Sequence, residues 1–322
     1  MSPSPAAVAH MEARRRLALA TALATHRTWR QLDHGNLYQS WLGLVGDVMA
    51  VVVSGQLSAA QMTGPWLTGL LGAADPDRAD AGRIIPEAFT GVDGAGRPLG
   101  GVLMAPLWTA LRMVTAGRPV IPSLIAGRAL LDAIVQTAVA DAGRAADSVG
   151  MTARPAVTSY IRVVEGGACS RCIVLAGAEY GTSRAFLRHP RCKCGMEPVT
   201  RDHTPDVPSP KRIVADMSEE QRRKTFGEAG AKALAEGADL GQLVNARRGM
   251  QSATVYGRKL QVTSEGVTRR GFAGSRLRDF QKVQGQRYRV SRKPRLMPEE
   301  IFRLADDRAH AVRLLHQYGF IA

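Results

Sequence analysis

The chain has 322 residues, 45% of them hydrophobic, which excludes a chain too short or too polar to bury a core and allows one large domain or two ordinary ones. Its 43 Lys and Arg against 28 Asp and Glu give a net charge of +15 and a pI near 10.4. That balance favours polyanionic partners (nucleic acid, an acidic protein surface or anionic lipid) without choosing among them. Aromatic residues make up only 5% while alanine is abundant, which favours helices that meet through small side chains.

The first 150 residues read as helical. Residues 2–5 form a disordered-looking leader. Residues 6–32 follow a helical period carried by Leu17, Leu19, Leu23 and Trp29. Within it, Arg14, Arg15 and Arg16 followed by an apolar stretch imitate a signal peptide, but Thr21 and Thr25 interrupt that stretch and the period runs on through Trp29. Residues 37–53 form a second, more apolar helix whose run from Trp41 is broken by Asp47 and is too short to span a bilayer. A third helix is expected over 58–71, limited or kinked by Pro65. Residues 75–101 read as a Gly-, Asp- and Pro-rich loop with one short helix near 86–89. Helices follow over 103–116 and from Pro122 to about Val149. His10, His26 and His34 have no ligand-spaced partner and read as surface or capping side chains.

The character changes near Gly150. Residues 156–164, AVTSYIRVV, are β-branched and aromatic and read as a strand. The strand leads into the one window that holds all four cysteines: Cys169-x2-Cys172, then His189-x2-Cys192-x-Cys194. Thiolate and imidazole at this spacing are the usual donors of a tetrahedral zinc site, and two knuckles closing one loop bring four of them together. Two disulfides or four inert thiols are the alternatives. Five donors compete for four positions; Cys192 and Cys194, two apart in an extended segment, point to opposite faces, so one of them is spare. A short strand over 196–199 leaves the second knuckle, and the proline-rich residues 204–210 form a linker.

Ser218 and Gln221 make a capping box for a helix running toward Glu236, weakened by Gly227 and Gly230. Asp239 opens a short helix that carries Arg247 and Arg248 and stops at Gly249. The two arginines suit either a phosphate or the helix dipole. Residues 269–295 are the most basic stretch: Arg269, Arg270, Arg276, Arg278, Lys282, Arg287, Arg289, Arg292, Lys293 and Arg295 against the single Asp279, with Phe272, Phe280 and Tyr288 interleaved. Cations among aromatics suit nucleic-acid backbone and stacked bases, and a flexible arm fits the weak periodicity equally well. Pro298 starts a helix to Leu304, and Asp307 caps a last helix ending at Gly319. The expected class is α+β, mainly α. Its parts are a helical docking domain over 1–150, a zinc-knuckle domain over 151–203, a linker with a helical hairpin over 204–268, and a basic arm with C-terminal helices over 269–322.

Several segments together resemble one family. Gly167-Ala-Cys-x2-Cys172, the Leu175, Ala176 and Tyr180 that follow, His189-Pro-x-Cys-x-Cys194, Pro198-Val199, Phe226 to Leu240, Val244 to Gly249, Arg295 to Phe302 and Ala311 to Phe320 are similar to the Mu F-like minor head proteins of tailed bacteriophages, actinobacteriophage type. The resemblance covers the second half closely and the first half only in helical character. It implies a minor capsid protein of head morphogenesis, resident in the virion and assembled in the host cytoplasm. The implied partners are portal, major capsid or scaffold proteins and packaged DNA, with no membrane. One structural zinc held by the cysteines and His189 fits that role. A capsid maturation protease, a metal-dependent nuclease and a zinc-knuckle nucleic-acid binder are the alternatives. The chain contains no G-x-S-x-G and no H-E-x-x-H, so no catalytic residue is assigned.

Overall fold

The computed structural model describes residues 3–72, 84–164, 166–186, 188–192, 194–255 and 257–322. Ser2 of the expected leader and residues 75–83 of the expected loop lie outside these. The fold is mainly helical with small antiparallel sheets, the α+β class expected. Two compact units divide the chain: Met1–Gly166 with Gly177–Pro208, and Gly167–Ala176 with Ser209–Ala322.

The first unit begins with α1 (Pro5–Trp29), whose N-cap Ser4 accepts from the Ala7 amide. It continues with α2 (Leu37–Gln61), α3 (Thr63–Leu71), the one-turn α4 (Leu99–Val102), α5 (Ala105–Thr115) and the long α6 (Val120–Thr152). The break between the second and third helices falls at Met62 rather than before Ser58. Pro65 sits in the first turn of α3, where a missing amide proton costs nothing. By length and composition Leu37–Leu71 and Val120–Thr152 could each cross a membrane. Here they supply one packed core: Trp41, Val48 and Val52 meet Leu131, Val135 and Val139, with Trp29, Leu103 and Leu107 closing it. Trp29 and Trp41 pack edge to face at 5.0 Å, and the Trp41 indole donates to the Leu103 carbonyl, so the ring's one polar atom is satisfied inside the core.

Glycine sets the closest helix approach. A Cβ on Gly127 of α6 would sit 2.8 Å from the Pro106 carbonyl oxygen and 2.8 Å from Trp29 Cζ2. Backbone cannot yield as a flexible side chain does. Gly127→Ala is therefore expected to lower stability by about 1–3 kcal/mol despite alanine's better helix propensity. Urea unfolding followed by far-UV circular dichroism checks this.

Strand β1 (Val157–Val164) follows α6 and is the centre of a three-stranded sheet between β2 (Glu179–Gly181) and β3 (Cys194–Thr200), antiparallel to both. The register pairs Tyr160 with Tyr180 and with Pro198, and Val164 with Cys194. Tyr160, Tyr180 and Phe186 cluster on it.

The second unit holds α7 (Ser170–Ile173), then α8 (Pro210–Ala215), α9 (Glu219–Phe226), α10 (Glu228–Ala235) and α11 (Leu240–Ala246). The Ser218–Gln221 capping box forms reciprocally, and Gly227, at φ 78°, divides what the sequence presented as one weakened helix. Strands β4 (Met250–Val255) and β5 (Arg258–Thr263) form a hairpin that the sequence reading did not anticipate. The basic stretch is not a bare arm. It contains α12 (Gly274–Leu277), a short hairpin of β6 (Phe280–Gln281) and β7 (Val290–Ser291), and β8 (Arg295–Leu296) paired to β5. Helices α13 (Pro298–Leu304) and α14 (Arg308–Gln317) end the chain, the latter capped by Asp307 as expected.

Candidate metal centre and basic surface

The first knuckle is a tight turn. Cys169 is the N-cap of α7, and its carbonyl accepts from the amides of Cys172 and Ile173 at 2.9 and 3.0 Å. This turn sets the two sulfurs 3.6 Å apart. A disulfide needs ~2.05 Å, whereas two thiolates on one tetrahedral zinc, each ~2.3 Å from it, lie ~3.8 Å from one another. All four cysteines are thiols; Cys169 is exposed and the other three are buried.

The second knuckle turns through Pro190 and Arg191, the latter at φ 58°, so that the Cys192 amide reaches the His189 carbonyl at 3.0 Å. His189 Nδ1 lies 2.8 Å from the Pro190 carbonyl. A carbonyl only accepts, so Nδ1 carries the proton and the neutral imidazole keeps its lone pair on Nε2 for a metal. Cys194 opens β3, and its sulfur accepts from Arg162 Nη2 at 3.3 Å. Arg162 is buried in β1 and stacks over Phe186 at 4.4 Å; a guanidinium at this place stabilises the thiolate form.

A third arginine holds the knuckle's backbone. Arg144 of α6 is buried, donates Nε to the Cys194 carbonyl at 2.9 Å and Nη2 to the Cys192 carbonyl, and pairs with Asp141 at 2.9 Å. Neither Arg144 nor Arg162 had a signal in the sequence, because contacts 48 to 50 residues away and across a sheet leave no local spacing.

Two groups of donors could hold a metal ion. Cys169 and Cys172 are carried by the second unit, and His189, Cys192 and Cys194 by the first. All five donors expected from the sequence therefore belong to one knuckle or the other. The donor set, sulfur with one imidazole, is borderline-to-soft and fits a zinc-like ion.

The cations expected to face nucleic acid are of two kinds. Arg248, Arg269, Arg270, Arg278, Arg287, Arg289, Arg292 and Lys293 are exposed. Arg276 and Lys282 are exposed but donate to carbonyls, the former of His316 and the latter of Gln286. Arg287 stacks over Tyr288, itself 57% exposed, and Arg276 over Phe272. Arg247 and Arg295 belong to the fold instead. Arg247 ties the Phe226 carbonyl to Glu299 at 2.7 and 2.8 Å. Arg295 is 1% exposed and donates to the carbonyls of Tyr318, Glu265 and Gly319. Burial pulls its pKa down to about 10, still leaving it charged at neutral pH.

His10 is not the surface or capping residue expected. It is buried, stacked on Trp66 at 4.1 Å, and 3.2 Å from Asp147. His26 pairs with Asp132 at 2.6 Å. Compared with family models, with curated proteins and with solved structures, the chain matches none.

Proposed function

We propose that this chain is a structural protein of a tailed-phage head, a minor capsid protein in which one zinc ion closes the two knuckles and the basic surface of the second unit contacts DNA or an acidic capsid surface. The observation that carries this reading is the pair of knuckles that hold every sulfur donor and His189, in the same segment whose motifs resemble the Mu F-like minor head proteins. Four protein donors fill a tetrahedral shell and leave no position for water or substrate, so the ion stabilises and does not catalyse. The helical first unit serves as the docking element for portal, scaffold or major capsid protein.

The test is residence. Mass spectrometry of purified phage particles and of their assembly intermediates is expected to find the chain at fixed stoichiometry, with zinc in proportion. Its absence from both overturns the reading.

The basic surface carries a separate expectation. Binding to DNA is sequence-independent and falls steeply with salt. Neutralising Arg287 and Arg289 to Gln lowers the slope of log K against log salt by about 2, since each phosphate contact on duplex contributes ~0.9. Fluorescence anisotropy with a labelled duplex at several salt concentrations measures it; an unchanged slope removes the hairpin from the interface.

A further inference from the structure

Helices α1 and α6 run antiparallel in the first unit: His10 meets Asp147 near one end, and His26 meets Asp132 at 2.6 Å near the other. Residues three or four apart share a helix face, so Leu19, Leu23, His26 and the C-cap Arg30 form one stripe on α1. Ile121, Ile125, Arg128 and Asp132 form another on α6. The His26–Asp132 pair joins the stripes, so both border one seam. Leu19, Leu23, Ile121 and Ile125 are 49% to 55% exposed, which gathers four large apolar side chains on one surface.

The seam ends in a cavity of about 160 Å³. Buried Trp29 and Leu124 line its inner side, and Ile121 and Ile125 its rim. Arg30 and Arg128 enter the wall and no acidic side chain does. Neither arginine forms an ion pair with a described residue. The neighbouring carboxylates lie outside the wall: Asp132 is engaged by His26, and Asp33 accepts the Gly35 amide at 2.9 Å. We infer that this seam docks an acidic amphipathic helix of a partner protein, with one large apolar side chain seated in the cavity and carboxylates facing Arg30 and Arg128. An apolar stripe with a terminal pocket is what a helix laid in a groove requires, and the pocket supplies its anchor. Nucleic acid would leave the leucines and isoleucines unmet, and a bilayer surface would not fill the cavity. The inference rests on the docking role proposed for the first unit and adds the place and chemistry of the contact.

The test titrates the full chain into a labelled synthetic helix of about 14 residues, enough to cover the ~17 Å from Leu19 to Arg30, with leucine on one face and glutamate on its flanks. Fluorescence anisotropy is expected to show one saturable site per chain. Replacing the peptide's glutamates by glutamine weakens binding about tenfold, as does Ile121→Ser with Ile125→Ser. Arg30→Glu with Arg128→Glu abolishes binding of the glutamate helix and admits its lysine counterpart. Leu42→Ser, equally exposed but on α2 and outside both stripes, leaves affinity unchanged. Thermal unfolding confirms that each variant is folded. No saturable binding by the wild type, binding indifferent to these substitutions, or capture of phosphatidylglycerol vesicles through Ile121 and Ile125 in place of the helix overturns the site. Helix binding by a chain absent from phage particles keeps the site and removes only the phage assignment.

Discussion

Cys172→Ser abolishes stoichiometric zinc binding and costs the protein about 4 kcal/mol of stability when free zinc stands near 1,000 times the dissociation constant. The size follows from linkage: an ion that binds only the folded state stabilises it by the logarithm of its saturation, and the variant forfeits that term. Cys172 is the strongest choice because it is the buried sulfur of the first knuckle, whereas Cys192 and Cys194 compete for one position on the second. Cys169→Ser is expected to lose zinc as well, since its sulfur stands 3.6 Å from that of Cys172 on the same turn. Cys192→Ser and Cys194→Ser separate the two remaining candidates: the one that keeps zinc is the spare sulfur. Metal analysis of purified protein, and thermal unfolding with and without a chelator, read both quantities. Metal-free protein as stable as the metal-loaded form overturns the structural role. A loss of stability on adding reductant alone, without release of metal, assigns the sulfurs to disulfides instead.

Local signals in the sequence were legible where the governing contact is itself local. Ser218 with Gln221, Asp239 and Asp307 each announce a helix start by a side chain that reaches three residues ahead, and each does so in the fold. The β-branched run around Tyr160 and the two knuckles are likewise short-range patterns. The hairpin Met250–Val255 with Arg258–Thr263 escaped notice because Gln, Ser, Arg and Lys interrupt the alternation that marks a half-buried strand. Arg295 was indistinguishable from its basic neighbours, since only carbonyls of Glu265, Tyr318 and Gly319 make it an internal brace. Arg14 sat inside an arginine triplet that imitated a targeting signal, although its partner lies 133 residues away.

That partner, Asp147, carries the second large effect. It is buried on α6 and takes a bidentate pair from Arg14, with Nη2 at 2.9 Å from Oδ1. Thr63 donates to the same oxygen at 2.9 Å, and His10 Nε2 approaches it at 3.2 Å. Arg14 also donates to the Ala59 carbonyl, so the cluster ties α1, the end of α2, α3 and α6 together. Asp147→Ala leaves a buried guanidinium without its counter-ion and is expected to destabilise the protein by about 3–5 kcal/mol. Arg14→Met with Asp147→Leu removes both charges and restores much of that loss, because two desolvated ions are costly to keep even when paired. Denaturant unfolding of Arg14→Met, Asp147→Leu and the pair closes the cycle, and additive losses would remove the pair from the account. Acid acts on the same cluster. Burial alone would raise the Asp147 carboxyl, but Arg14 and His10 hold it below the ordinary 3.8, and burial holds His10 below 6.5 despite Asp147. The unfolded chain therefore binds more protons than the folded one at both residues, and stability falls as pH falls. The His10 contribution is complete above pH 6.5 and is lost progressively below it; the Asp147 contribution is complete above 3.8 and is lost as pH drops through the folded value. His10→Phe keeps the stacking on Trp66 and removes the first of these losses, so its melting temperature between pH 7 and pH 5 declines less than that of the wild type.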